Sequence, residues 1–185
     1  MAAPRKENVK ELILNAAEEL LTHKKLSDIS LAEIAGHAGI SKGTLYYYYK
    51  NKNDILFDIT DKYLDEQYQD LIAWTEDASK DTSLHRLIKY VLERDVATAN
   101  MRLHLFYDAM MGNEQIREKL LNRYSEFADI ISKKIEERTD SVSPDFLAWL
   151  LLLLSDGLYI HQTLDNPRLN VSDFIRKSEN FLSKL

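Results

Sequence analysis

The stretch from Ser30 to Lys50, SLAEIAGHAGISKGTLYYYYK, constrains the fold more than any other part of the chain, because it holds two short helical patterns with only a tight turn between them. Ser30 and Glu33 have the spacing of a capping box, in which hydroxyl and carboxylate each satisfy a backbone N–H left over at a helix start. Leu31, Ile34, Ala35 and Ala38 then fall at i, i+3, i+4 and i+7, predicting a short helix buried on one side and stopped by Gly39. Ser41 is placed to cap a second helix carrying Gly43 to Lys50, which leaves Gly39-Ile40-Ser41 as the turn. The segment at about 31–50 is therefore expected to be a helix-turn-helix.

Projected at 100° per residue, Leu45, Tyr46 and Tyr49 gather on one face of the second helix and are expected to be buried. Gly43, Thr44, Tyr47 and Tyr48 gather on the opposite, exposed face. Two neighbouring tyrosines, a threonine and a backbone bared by Gly43 offer hydroxyls to phosphates or base edges, and ring and methyl surface to thymine. From Ile34 to Asn53 there is no acidic residue, whereas Lys42, Lys50 and Lys52 all lie there. Asn51 with Asp54 marks another helix start, which places Lys52 in a first turn, beside N–H groups that attract anions. The helix dipole disfavours a lysine there, so its position suits a phosphate better than it suits the helix. Ser30, Ser41, Lys42, Gly43, Thr44, Tyr47, Tyr48 and Lys52 are the residues expected to meet double-stranded DNA.

This segment resembles the TetR family of bacterial one-component regulators, through Gly43-Thr44-Leu45-Tyr46, the aromatic pair that follows and the lysine beyond it. The specific resemblance covers roughly Asn8 to Leu56. It implies an N-terminal DNA-binding domain, a connecting helix and an all-helical partner domain that dimerises. Family members commonly place His-Phe where this chain has Tyr48-Tyr49, so Tyr49 adds a hydroxyl to a ring that is usually buried, and that hydroxyl needs a partner.

The rest of the chain agrees with an all-α fold. Among 185 residues only five glycines and three prolines interrupt the helical periodicity, and 45% apolar residues suffice for a real core. Val9, Leu12, Ile13, Ala16, Ala17, Leu20 and Leu21 form one helical stripe ahead of the helix-turn-helix, and Pro4-Arg5-Lys6 before it reads as a loose end or an arm into a minor groove. A long helix is expected from Lys52 to about Asp77. Further patterns follow at about Ser83–Ala97, Met101–Met111, Glu114–Arg138, Pro144–Leu164 and Ser172–Leu185. The reading is an N-terminal three-helix helix-turn-helix domain, residues 1–53, followed by a C-terminal helical effector-binding and dimerisation domain, residues 54–185, with about nine helices in total.

Charge is divided along the same line. Residues 1–53 hold eight Lys and Arg against six Asp and Glu and the remainder sixteen against twenty-four, so a net charge of −6 conceals a basic tip on an acidic body. Such a body repels DNA and turns the tip toward it. Cysteine is absent, which excludes disulfides and thiol chemistry and suits a reducing cytosol. The polar N-terminus shows no secretory signal, and the longest apolar run, Phe146 to Leu154, is nine residues against the ~20 a membrane helix needs. A cytoplasmic protein that does not span a membrane is expected.

That run is apolar all round, so its helix must be central or meet a partner chain. With the last helix it is expected to form half of a four-helix homodimer interface, through Leu151, Leu154, Phe174, Ile175, Phe181 and Leu182. Enzyme chemistry finds little support, because no cysteine nucleophile, Gly-x-Ser-x-Gly, phosphate-cradling glycine loop or His-Glu-x-x-His is present. His104 and Asp108 sit at i, i+4, but two ligands do not make a metal site, and no cofactor is expected. An unknown small organic effector is the better candidate ligand. Tyr90, Met101, His104, Tyr107, Asp108, Met111, Tyr124, Phe127, Asp156 and His161 mix soft, aromatic and polar groups that suit an adaptable cavity, although residue by residue each is also an ordinary core or satisfied polar group. The competing reading of the whole chain is a helical protein-interaction module whose helix-turn-helix is only structural.

Overall fold

A computed structural model describes residues 6–77, 83–93 and 99–184, which are helical with no strand among them. The helices are α1 (Lys6–Leu21), α2 (Leu31–His37), α3 (Lys42–Tyr48), α4 (Lys52–Glu76), α5 (Leu84–Glu93), α6 (Ala99–Met110), α7 (Glu114–Glu136), α8 (Pro144–Thr163) and α9 (Val171–Leu182). They form two compact units, one of residues up to Asp65 with Asn100–Lys119, the other of residues 66–99 with 120–185. Pro4 and Arg5 of the expected N-terminal arm, and residues 94–97 of the expected fifth helix, lie outside the described residues.

In the first unit α1 packs on α2 and α2 on α3. Val9, Ile13, Ala16, Ala17 and Leu21 are buried as the stripe predicted, but Leu12 is exposed and Leu14 is buried in its place. Leu14 extends the row of Ala17 and Leu21 at i, i+3 and i+7, so the buried face lies slightly to one side of the stripe read from the sequence. Ile34, Ala35, Leu45, Ile55, Leu56 and Ile59 complete this core. Ion pairs tie α1 to α4 over it: Lys10 to Asp58 at 2.8 Å and Lys62 to Glu18 at 3.5 Å. From α6, the His104 Nε2 lies 3.0 Å from the carbonyl of Leu21 at the end of α1.

In the second unit α5 packs against both α8 and α9. Its core joins Leu87, Ile88, Val91 and Leu92 of α5 to Phe127, Ile131 and Ile135 of α7 and to the inner faces of α8 and α9. The apolar character of α8 resolves into two sides. Leu147, Ala148, Leu151, Leu152, Ser155, Leu158 and Tyr159 are buried, whereas Phe146, Trp149, Leu153 and Ile160, with Leu164 just past the helix end, are exposed. At 100° per residue the exposed set falls within an arc of about 60° opposite the buried one.

This corrects the expected interface residues. Leu151, Ile175 and Leu182 are buried within the single chain and have no surface left to offer a partner. Leu154 and Phe174 are half-buried, packed against the same core. Of the expected residues only Phe181, 69% exposed, belongs to the bare surface. The physical reason is that an all-apolar helix shows no amphipathic phase in its sequence, so which side faces inward is settled only by where α5 lies.

Candidate nucleic-acid interface

The reading elements are built from local capping. Ser30 Oγ accepts from the N–H of Glu33 at 3.1 Å, and the Glu33 carboxylate bonds back to the Ser30 backbone and takes Lys24 at 2.5 Å. Lys24 above all holds that carboxyl below its ordinary range. Gly39 takes φ +66°, the left-handed conformation that ends α2 at little cost only in glycine. Ser41 Oγ then accepts from the N–H of Thr44 at 3.0 Å and lies 2.8 Å from the Thr44 hydroxyl, fixing the first turn of α3.

On α3 the surface differs from the projection most at one tyrosine, Tyr46. Gly43 and Tyr47 are exposed as expected, together with Ser41 and Lys42, whereas Thr44 and Tyr48, expected on the same exposed face, are half-buried, with Tyr47 and Tyr48 edge-to-face at 5.2 Å. Tyr46, expected inside, is 49% exposed. The helix ends at Tyr48, and Tyr49 is already extended, at φ −132° and ψ 127°. Leu45 and Tyr49 alone fill the inner side, the latter reached by unwinding rather than by helical phase, and the ring of Tyr46 is left outside. Tyr46 is thus a surface residue that the projection missed, and its place beside Tyr47 in an acid-free stretch was the available signal. Lys50 folds back, its ammonium donating to the Tyr46 carbonyl at 3.0 Å.

The buried ring of Tyr49 has the hydroxyl partner its sequence demanded. Its hydroxyl donates to Asp58 Oδ2 at 2.7 Å, and Lys10 holds the same carboxylate at 2.8 Å. Burial first, and the adjoining carboxylate second, push the Tyr49 phenol well above the ordinary tyrosine range. The end of α3 is thereby fastened to α4 and α1.

Lys52 departs from the simple phosphate reading. Asn51 Oδ1 accepts from the N–H of Asp54 at 2.9 Å and starts α4 where the sequence indicated. The Lys52 ammonium, however, is half-buried and donates to the Leu26 carbonyl at 2.7 Å, so it also joins α4 to the 3-10 turn at Leu26–Asp28.

The ten residues expected to line an effector cavity are divided five and five between the units. In the first, His104, Tyr107 and Asp108 line one cleft of about 620 Å³, and Met111 lines a smaller one of about 450 Å³ that also borders Asp108. The side chain of Met101 is outside the described residues. In the second, Tyr124 donates to both carboxylate oxygens of Asp156, at 2.8 and 2.9 Å. Tyr90 stacks on Trp74 at 4.4 Å and Phe127 on Tyr68 at 6.4 Å. These are mutually satisfied pairs, half-buried except for Phe127. His161 is exposed, its Nδ1 3.0 Å from the Asn166 amide. Among the described residues no cluster of three or more His, Cys, Asp or Glu could hold a metal, and no helix is long and apolar enough to cross a membrane.

Comparison with known proteins places this geometry. Residues 13–59 match the family described as bacterial regulatory proteins, tetR family. The chain is 35% identical over 65 residues to the HTH-type transcriptional regulator EthR of Mycobacterium tuberculosis, a match that spans 35% of this chain and only 30% of EthR. It is 24% identical to the nucleoid occlusion factor SlmA of Shewanella pealeana over 100% of this chain and 98% of that protein. The fold superposes on a TetR transcription regulator from Haloarcula marismortui with a TM-score of 0.78, covering 96% of this chain and 97% of that one at 18% identity. Residues 13–59 thus carry the helix-turn-helix of the tetR family of bacterial regulatory proteins, and the all-helical fold is that of a TetR regulator.

Proposed function

We propose that the protein is a cytoplasmic DNA-binding transcriptional regulator, a repressor that binds a palindromic operator as a homodimer and is released by a small organic effector. Residues 1–53 read DNA and residues 54–185 dimerise and respond. The observation that carries this reading is the surface of α3. A short capped helix in an acid-free stretch presents Lys42, Gly43, Tyr46 and Tyr47 together, with Thr44 and Tyr48 beside them. Ser30 and Ser41 cap the two helices and stand at the same surface. Lys52 contributes a phosphate contact only by giving up, or sharing, its bond to Leu26.

The second support is the bare face of α8. A contiguous exposed apolar stripe marks an interaction surface. A second copy of the chain covers it symmetrically, through Phe146, Trp149, Leu153 and Ile160, with Phe181 of α9 adding to the apolar surface. Two copies place two readers on one face of the duplex, with half-sites about 34–36 Å apart or a multiple of this. A coupling of roughly 1–3 kcal/mol between effector and DNA is usual for such regulators and lowers operator affinity about 5- to 150-fold.

The test is selection of bound duplexes from a random or genomic pool at about 150 mM salt, where sequence-independent phosphate affinity is weak. An inverted repeat is the expected product. Recovery of no motif by folded, dimeric protein overturns the reading in favour of a protein-interaction module.

A further inference from the structure

We propose that the cleft between α6 and the start of α4 in the first unit binds small amphipathic carboxylates, whose anion draws the Lys52 ammonium away from the Leu26 carbonyl. Lys25, Leu26 and Lys52 form one wall, and Leu103, Tyr107 and Asp108 of α6 the other. At about 620 Å³ the cleft lies within the ~300–1,000 Å³ typical of pockets that engulf a small organic molecule.

The chemistry of the walls selects the ligand. Leu103 and Tyr107 are left exposed on α6, 41% and 62% accessible, and they offer an aliphatic chain and an aromatic ring to an apolar body. Facing them are two lysines, against one carboxylate on the far wall, so the lysine side favours an anion attached to an apolar body. A neutral or cationic molecule of the same shape lacks that attraction and leaves the half-buried Lys52 with its present carbonyl partner. His104 borders the cleft but is anchored on the Leu21 carbonyl, which keeps α6 in register with the end of α1 while the ligand binds.

The consequence rests on the DNA-reading function proposed above. Lys52 opens α4, and its bond to Leu26 joins that helix to the segment between α1 and α2. A carboxylate that takes the ammonium loosens this joint and competes with a DNA phosphate for the same charge, so ligand and operator oppose each other.

The test uses the full chain with 2-naphthoate as probe and 2-naphthamide as its neutral counterpart, followed by backbone amide resonances without DNA. Naphthoate is expected to bind saturably, shifting resonances around Leu26, Leu103 and Tyr107. Naphthamide, and naphthoate with Lys25→Gln or Leu103→Glu, are each expected to bind at least about tenfold more weakly, or about 1.4 kcal/mol. No saturable binding, equal binding of acid and amide, or shifts confined to residues near Trp74 and Tyr90 overturn the proposal. In a parallel titration with selected operator DNA, naphthoate is expected to lower affinity for the native chain and not for Leu103→Glu, which binds DNA normally without probe. Probe binding with no effect on DNA affinity overturns the coupling. Absence of operator binding before any probe is added refutes the DNA-reading function instead, and the resonance titration still decides the cleft.

Discussion

The α3 surface and the outer face of α8 both expose large aromatic or aliphatic side chains, yet they differ in company. On α3 the exposed rings of Tyr46 and Tyr47 carry hydroxyls and stand with Lys42, Gly43 and two capping serines. On α8 the exposed Phe146, Leu153 and Ile160 carry no polar atom and fall in one stripe with Trp149. Exposed apolar area alone therefore does not identify a partner. A ring with a hydroxyl beside lysines suits a wet, anionic surface, and a face of phenylalanine, tryptophan, leucine and isoleucine suits a dry, symmetric one.

The largest effects test the two sides of α8. Leu151→Ala, at a buried position, is expected to cost the fold about 2–5 kcal/mol in urea unfolding. Leu153→Asp, two residues on but 64% exposed, is expected to leave the chain folded and weaken the dimer by about 2–4 kcal/mol in sedimentation equilibrium. A dimer unchanged by Leu153→Asp would break the contrast at its apolar end.

At the other surface, Tyr46→Ala and Tyr47→Ala are each expected to weaken operator binding by about 1–3 kcal/mol without lowering thermal stability. Tyr49→Phe should do the reverse. It removes a hydrogen bond to a carboxylate and is expected to cost about 1–2 kcal/mol of stability, read in urea at neutral pH. Because the folded-state phenol is raised, its stabilisation is intact below the ordinary tyrosine pKa of about 10 and is eroded as pH rises above that value. Alkaline unfolding should therefore show a smaller pH slope in Tyr49→Phe than in the native chain.

Two smaller effects sharpen the comparison further. A Cβ added at Gly43 would meet nothing nearer than the Ser41 Oγ at 3.7 Å, an ordinary contact. Gly43→Ala is thus expected to raise stability by up to about 1 kcal/mol through helix propensity while lowering DNA affinity, if the bare backbone is there for close approach. Affinity that rises with stability would remove Gly43 from the interface. Lys42→Ala is expected to flatten the salt dependence of DNA binding by about one unit, as one lost phosphate contact would. Lys42 is a cleaner probe than Lys52, whose loss would also break the bond to Leu26.

How much of this was legible in the sequence follows from the range of the forces involved. Helix starts at Ser30, Ser41 and Asn51 were readable because a cap acts over three residues: each of these side chains accepts from the N–H three positions on. The stop at Gly39 was readable for the same local reason. Tyr46 was misplaced because a periodic projection assumes the helix continues, and α3 ends one residue before Tyr49. The bare side of α8 was not legible because an all-apolar run contains no phase to read. The two units share α4 and α7 by residue, so packing joins the α6 segment to the N-terminal core, which a linear reading of the chain does not show.

By itself, then, the sequence determined the all-helical class, the helix-turn-helix, its caps and turn, and the acid-free reading stretch, all of which depend on neighbours within a few positions. Tertiary structure alone decided which tyrosines face out, that Tyr49 finds Asp58, that Lys52 rests on Leu26 and which side of α8 remains bare. Each of these is a contact between distant residues or a choice among equally apolar faces, and only the packing of other helices can make that choice.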